Sequence, residues 1–136
     1  MFENELDLAR EKKAIELFAN TFKLNYLKLS QTDVDYKIFG SDGDVIAYAE
    51  VKGRIRTMRD AFPLPIALRK LVKLMDKRIK PVVIWACDDG IFYADITKIY
   101  GSVRLGGRPI RDGAFNDEEM MAYYDKQDNI RYIRYT

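Results

Sequence analysis

Residues 32–54 have the sequence TDVDYKIFGSDGDVIAYAEVKGR, which predicts a β-hairpin. The two arms, VDYKIF and VIAYAEVK, are rich in β-branched and aromatic residues, and the GSDGD segment between them is typical of a turn. A turn centred between Asp42 and Gly43 would place Asp35 opposite Glu50, with Cβ atoms ~4.5–5.5 Å apart. The hairpin therefore predicts two carboxylates side by side.

Side chains alternate along a strand, so Lys52 should share a face with Glu50, and Val51 should point the other way. Opposed carboxylates repel each other unless a positive charge lies between them. Two carboxylates and a lysine on one patch could hold a divalent cation and an activated water, or they could form an ordinary cross-strand salt-bridge cluster. Asp33 competes with Asp35 as the first carboxylate, although it precedes the strand.

The composition predicts one domain over residues 1–136 with a proper hydrophobic core, because 48% of the 136 residues are hydrophobic. No apolar run approaches the ~20 residues of a membrane span, and the charged N-terminus does not resemble a signal peptide. Cys87 lies in an apolar run, which indicates a buried thiol. These features predict a cytoplasmic protein without a membrane partner.

The chain has no histidine and one cysteine, which excludes several kinds of catalytic site. Ser-His-Asp triads, Cys-His pairs and zinc sites built from histidine or several cysteines all need residues that are missing. Catalysis would rely on carboxylates, lysine, arginine, hydroxyls or the one thiol. Carboxylates favour hard ions such as Mg²⁺ or Mn²⁺.

The net charge of +2 conceals a strongly basic block. Residues 51–80 carry 10 basic and 2 acidic side chains, directly after the carboxylates of the hairpin. Such asymmetry indicates a polyanionic partner, and a solvated basic helix face is the alternative.

The remaining chain alternates between helical and strand patterns. The glycine- and arginine-rich residues 100–115 predict a loop, from which Arg104, Arg108 and Arg111 could reach a substrate. Asn116 would cap a third helix, with Glu118 and Glu119 near its positive end. In order, the predicted elements are a helix over 3–21, a strand over 25–30, the hairpin, a basic loop over 53–65, a helix over 66–80, strands over 82–87 and 91–96, the loop, the third helix and an edge strand over 130–135.

Glu11 is an exception on the first helix, because it lies on the apolar side with Ile15 and Phe18. A carboxylate that faces a core usually has a partner. The alternative is that Glu11 lies at the edge of the apolar stripe and reaches solvent.

The chain resembles the PD-(D/E)XK, or restriction-endonuclease-like, nuclease superfamily. The resemblance lies in Asp35, the hairpin that follows it and the triplet Glu50-Val51-Lys52. The acidic-x-Lys triplet also occurs at residues 11–13 and 35–37, but only the triplet at 50–52 ends an apolar strand and runs into a basic block. Val34 stands where many members have proline. The resemblance implies an α/β fold with an αβββαβ core over about residues 3–96, a central mixed sheet flanked by helices, and a C-terminal extension over 97–136 with a helix and an edge strand.

The resemblance is closest to archaeal-type Holliday-junction resolvases and small phage nucleases, and it implies metal-dependent hydrolysis of DNA. Asp35, Glu50 and the Val51 carbonyl would hold Mg²⁺ or Mn²⁺. Lys52 would orient water and stabilise negative charge, and it should stay protonated beside two carboxylates. Glu11 would position the water shell of the metal or a second ion.

The basic block would grip the DNA backbone without reading its sequence. A homodimer would provide one active site for each strand. A nucleic-acid-binding module with the same fold but no cleavage activity is the alternative function. The residues expected to contact DNA are Arg54, Arg56, Arg59, Arg69, Lys70 and Lys73.

Overall fold

The computed structural model describes residues 5–106 and 118–136. Two sheets and two helices form most of this part of the chain, with short 3₁₀ turns at Met58–Asp60 and Ile96–Lys98. In order, the elements are α1 (Glu5–Phe22), β1 (Asn25–Lys28), β2 (Tyr36–Phe39), β3 (Val45–Gly53), β4 (Leu64–Ala67), α2 (Leu68–Met75), β5 (Pro81–Ala86), β6 (Gly90–Asp95), β7 (Ser102–Gly106), β8 (Glu119–Tyr124) and β9 (Arg131–Arg134).

The larger sheet has the order β1-β2-β3-β5-β6-β9, and the smaller one has the order β4-β8-β7. β3 and β5 pair in parallel, whereas the other neighbours in the larger sheet are antiparallel. The predicted mixed sheet and the αβββαβ order are therefore confirmed, with β4 inserted between β3 and α2. β9 lies at the edge of the larger sheet, as expected.

The larger sheet buries apolar side chains on both faces. Ile15 and Phe18 of α1 pack on one face against residues such as Ile84. On the other face, Val83 and Trp85 pack against α2 and the smaller sheet. Every residue of β5 is buried, which is what its continuous apolar run predicts.

The hairpin of β2 and β3 has the predicted register. Tyr36 pairs with Ala49, and a bulge follows at the turn end between Ile38 and Phe39. Gly43 lies in the turn at a φ of +88°, a conformation that glycine adopts without strain. The register leaves Asp35 one residue beyond the last pair, next to Glu50.

Two predictions for the C-terminal part are wrong. Residues 102–106 form β7 instead of a loop, and Glu119–Tyr124 form β8 instead of a helix. The two glutamates suited a helix N-terminus, but Ala122 and Tyr124 are buried on alternate positions, and this period of two belongs to a strand. Arg104 accordingly lies on β7. Arg108, Arg111 and Asn116 fall outside the described residues.

The second helix is shorter than predicted. Residues 64–67 pair with β8 as β4, so α2 begins at Leu68, and it ends at Met75 instead of residue 80. Arg78, at a φ of +59°, lies beyond the helix in a left-handed conformation that does not continue it. Trp85 Nε1 donates a hydrogen bond to the Pro65 carbonyl at 2.8 Å, which ties β4 to the larger sheet.

Within these two described ranges, no helix combines the length and the apolar character needed to cross a lipid bilayer.

Candidate active site

Asp35 and Glu50 lie side by side at the open end of the hairpin. Glu50 is on β3 and is only 2% exposed, and it is the one buried charged residue in the described ranges. The backbone N–H of Val51 donates a hydrogen bond to Asp35 Oδ2 at 2.8 Å. The hairpin register therefore brings the two predicted carboxylates together.

The Glu50 carboxylate is incompletely satisfied within the described protein. Its Oε2 atom lies 3.7 Å from Lys70 Nζ, whereas its buried Oε1 atom makes no hydrogen bond of standard geometry there, although the side chain and backbone of Asp35 are near enough to shift the pKa of Glu50. Burial and the charge of Asp35 raise the pKa of Glu50 to about 8, and Lys70 opposes this shift. A buried acceptor without a partner costs free energy, and such atoms in native structures often have a functional explanation.

The Val51 carbonyl completes a set of oxygen atoms at this strand end. The N–H and C=O of one strand residue point to the same side, and the Val51 N–H points towards Asp35. The pairing of β2 with β3 ends at Tyr36 and Ala49, so this carbonyl lies beyond the ladder. Two carboxylates and one carbonyl suit Mg²⁺, which keeps several of its waters.

No group of three or more acidic, histidine or cysteine side chains that could hold a metal occurs in residues 5–106 and 118–136. The predicted metal site does not conflict with this absence, because it needs only two carboxylate side chains and one backbone carbonyl oxygen. The buried and unpaired Glu50 oxygen is the feature that fits an added cation.

Lys52 shares the face of Glu50 but has different electrostatic neighbours from those expected. Partial burial, then Lys70 and Arg54, lower its pKa, and Glu119 of β8 is the carboxylate that opposes them. The residue as a whole is nevertheless exposed to solvent. The charges that act most on Lys52 are therefore those of α2, Arg54 and Glu119, and its protonation beside the two hairpin carboxylates stays a prediction.

Glu11 of α1 has partners, which settles the two alternatives for this residue. Its Oε2 atom accepts hydrogen bonds from Lys28 Nζ and from the Tyr36 hydroxyl, both at 2.7 Å. Lys28 also lies 3.6 Å from Asp35 Oδ1. Burial and the hydrogen bond to Glu11 raise the pKa of Tyr36, so its hydroxyl remains a donor. Glu11 is thus linked to Asp35 through Lys28, a residue that no sequence motif indicated.

Asp33 is held away from this group. Its Oδ1 atom lies 2.7 Å from Lys77 Nζ and accepts a hydrogen bond from the Val34 N–H. The hydrogen bond from Lys77 lowers the pKa of Asp33. The geometry therefore favours Asp35 as the first carboxylate.

Several of the basic residues expected to contact DNA have partners within the protein. Arg54 donates to the carbonyls of Ala61 and Pro63 at 2.9 and 3.4 Å, and these bonds hold the loop that follows β3. Arg69 Nε lies 3.1 Å from a Glu119 carboxylate oxygen. Glu119 thus pairs with Arg69 and is near enough to Lys52 to oppose the lowering of its pKa, although nothing in the sequence indicates that β8 packs beside α2.

Lys73 Nζ donates a hydrogen bond to the Thr32 carbonyl at 2.8 Å. Arg56 and Arg59 are exposed, and their side chains make no hydrogen bond or ion pair among the described residues. These two arginines are the predicted DNA contacts whose side chains are directly available to a partner.

A cavity of about 600 Å³ lies at the opposite end of the larger sheet, lined by residues such as Phe18, Ile46 and Tyr93. It contains neither Asp35 nor Glu50. The two candidate carboxylates therefore lie outside this cavity.

A family model described as "Phage putative PDDEXK endonuclease" matches residues 1–131. The chain belongs to this family. Membership confirms the resemblance to PD-(D/E)XK nucleases and the restriction-endonuclease-like fold, and nuclease activity is the activity that it supports. The closer resemblance to archaeal-type resolvases remains a prediction. Searches of curated proteins and of solved structures found no match.

Proposed function

We propose that the protein is a metal-dependent DNA endonuclease whose site contains Asp35, Glu50, the Val51 carbonyl and Lys52. The observation that carries this proposal is the buried Glu50 carboxylate, which has one unpaired oxygen and lies beside Asp35 at an open strand end. A purely structural salt-bridge cluster would not need an unpaired oxygen in a position this buried.

Asp35, Glu50 and the Val51 carbonyl would hold Mg²⁺ or Mn²⁺. When bound, such an ion supplies a water of lowered pKa and neutralises charge at a scissile phosphate. Two features of the protein favour binding of such an ion. The Val51 N–H holds the Asp35 carboxylate in place, and burial removes water from the Glu50 carboxylate. A carboxylate in a desolvated site interacts more strongly with a cation than one in water does.

Lys52 would stabilise the negative charge that develops on the phosphate. Its exposed ammonium lies on the face of Glu50, and Lys70 and Arg54 add to the positive potential there. Positive groups held in position before the reaction stabilise a developing oxyanion without reorganisation. Glu11 would act as a positioning residue, because it orients Lys28 beside Asp35.

Contacts to the DNA backbone would come from the basic loop and from α2, with Arg56 and Arg59 as the available side chains. Such contacts provide affinity without sequence specificity. A homodimer would present two sites to the two strands of a duplex or a branched junction.

We place this activity in the cytoplasm of the cell in which the protein is made.

A substrate panel tests the proposed function. The purified protein is incubated with Mg²⁺ or Mn²⁺ on supercoiled plasmid, linear duplex, single-stranded DNA and a four-way junction, with EDTA as the control. We expect cleavage of at least one substrate that requires the metal, and the substrate cut fastest defines the selectivity. Binding in EDTA combined with no cleavage of any substrate would instead support the binding module.

A further inference from the structure

Lys70 is the positive side chain that pairs with the buried Glu50 carboxylate, whereas Lys28 lies beside Asp35. It is the third residue of α2, and its Nζ atom lies 3.7 Å from Glu50 Oε2. The Glu50 side chain is 2% exposed, whereas that of Lys70 is 42% exposed. The lysine thus contacts Oε2 of a carboxylate whose buried Oε1 has no hydrogen-bond partner among the described residues.

The other lysines on this side of α2 do not contact Glu50. Lys73, one turn later, donates to the Thr32 carbonyl, and Lys77, beyond the helix end, pairs with Asp33. Lys52 is on the strand of Glu50, but cations and Glu119 are its main electrostatic neighbours. The contact of Lys70 with Glu50 is therefore specific to this lysine. It is not explained by a generally basic helix face, and Lys70 is not part of the family motif.

This contact compensates a charge that is otherwise difficult to bury. A carboxylate removed from water without a positive partner is strongly destabilised. A divalent ion at Asp35 and Glu50 would provide a stronger compensation, and it would repel a nearby ammonium. Lys70 and the ion are consequently alternative partners of the same carboxylate.

We propose that Lys70 is a positioning residue that takes the place of the metal ion's charge beside Glu50 in the metal-free protein and gives way when the ion binds. This inference rests on the proposed function, since it requires a cation site at Asp35 and Glu50. The displaced ammonium remains exposed near Lys52, where it is available to a substrate phosphate. Binding of the ion and contact with the DNA backbone are thereby coupled through one side chain.

Calorimetric titration with Ca²⁺ at pH 9.5, without DNA, tests this role independently of cleavage. This pH lies well above the pKa of Glu50, so the loss of Lys70, which lowers that pKa, does not leave the carboxyl protonated. Lys70→Met should bind Ca²⁺ about tenfold more tightly than the natural protein, because a competing charge is removed. Lys70→Arg keeps the charge and should retain the natural affinity. Lys73→Met removes a charge from the same helix without touching Glu50, and it should change the affinity by less than about twofold.

The outcomes separate this inference from the proposed function. A lysine with a merely structural role would loosen the site when replaced, so Ca²⁺ binding would weaken. Unchanged or weaker binding by a folded Lys70→Met variant therefore overturns the role of Lys70, while loss of binding in Glu50→Gln would still support the metal site. Absence of Ca²⁺ binding in both the natural protein and Lys70→Met contradicts the metal site itself. If Lys70→Met does not fold, Lys70→Gln provides the same readout.

Discussion

The Val51 N–H donates a hydrogen bond to the Asp35 carboxylate at 2.8 Å, across the end of the hairpin. This bond ties the first carboxylate of the candidate site to the strand that carries Glu50 and Lys52. The pairing of β2 and β3 stops at Tyr36 and Ala49, so the Asp35 side chain makes the link to β3, while the Asp35 carbonyl accepts a hydrogen bond from the Leu29 N–H on the other side.

Replacing Asp35 tests which aspartate belongs to the site. Asp35→Asn retains an oxygen that can accept the Val51 hydrogen bond but removes the charge, so we expect cleavage to fall by about 100-fold or more. DNA binding in EDTA should persist, as measured by gel shift. Asp33→Asn is the matched control, because Asp33 is paired with Lys77, and it should cut within a few-fold of the natural rate. An inactive Asp33→Asn combined with an active Asp35→Asn would reverse the assignment.

The raised pKa of Glu50 predicts how the stability of the metal-free protein depends on pH. The usual value of 4.5 applies to the unfolded chain and about 8 to the folded protein, so the folded state holds an extra proton between these values. The free energy of unfolding should therefore decrease as the pH rises through this window, with a slope of at most about 1.4 kcal/mol per pH unit. Urea unfolding in EDTA at several pH values measures this slope.

Glu50→Gln should remove this contribution and should be the more stable protein at pH 8.5, because no carboxylate then has to ionise in a buried site. Asp128→Asn, an exposed substitution of the same kind, should leave the slope unchanged. Identical slopes for Glu50→Gln and the natural protein would show that Glu50 titrates normally.

Lys52 and Lys37 occupy the last position of two acidic-x-Lys triplets, which makes them a matched pair. Lys52→Met should reduce cleavage by about 100-fold while leaving Ca²⁺ binding intact, because the lysine stabilises the phosphate and is not a metal ligand. Lys37→Met should keep its activity, since Lys37 lies over the Tyr48 ring instead. Cleavage assays combined with calorimetry distinguish the two variants, and loss of activity in Lys37→Met alone would point to the wrong triplet.

Lys28 and Glu11 should act as a unit on Asp35. Lys28→Met removes the ammonium that bridges Glu11 and Asp35. We expect the cleavage rate to fall about tenfold, which is typical when a residue that orients a metal ligand is replaced. Glu11→Gln should reduce the cleavage rate by less, because the amide oxygen of glutamine can still accept the hydrogen bond from the Tyr36 hydroxyl. A double-mutant cycle should show that the two effects are not additive, whereas simple additivity would mean that Glu11 acts independently of Lys28.

Arg56 and Arg59 should contribute to DNA affinity in a manner that depends on salt. Each replacement by alanine should weaken binding across sequences and reduce the slope of log affinity against log salt by about one. Arg54→Ala should instead mainly lower the melting temperature, because its guanidinium holds the carbonyls of Ala61 and Pro63. Filter binding at several salt concentrations measures the slopes, and unchanged slopes would exclude these two arginines from the interface.

The local parts of the site were predictable from the sequence because they depend on short-range chemistry. The GSDGD turn determines which residues face each other, so the sequence alone predicts that Asp35 and Glu50 lie together. The run VVIWAC similarly identified the strand that is buried on both faces.

The contacts between distant segments were not predictable. Arg69 meets Glu119 across 50 residues because β8 pairs with β4, and no local pattern encodes that pairing. The same strand was mistaken for a helix, since its two leading glutamates imitate a helix N-terminus. The contact of Lys70 with Glu50 depends on where α2 begins, which is set by β4 and not by the apolar periodicity of the helix.

The rate of metal-dependent DNA cleavage by Glu50→Gln, compared with the natural protein and Asp128→Asn, tests the central claim most directly. With Mg²⁺ or Mn²⁺ on the substrate that is cut fastest, we expect the natural protein and Asp128→Asn to cleave at similar rates. Glu50→Gln should be slower by about 100-fold or more, because the buried carboxylate that would hold the ion has lost its charge. A Glu50→Gln protein that cleaves at the natural rate would contradict the assignment of the site.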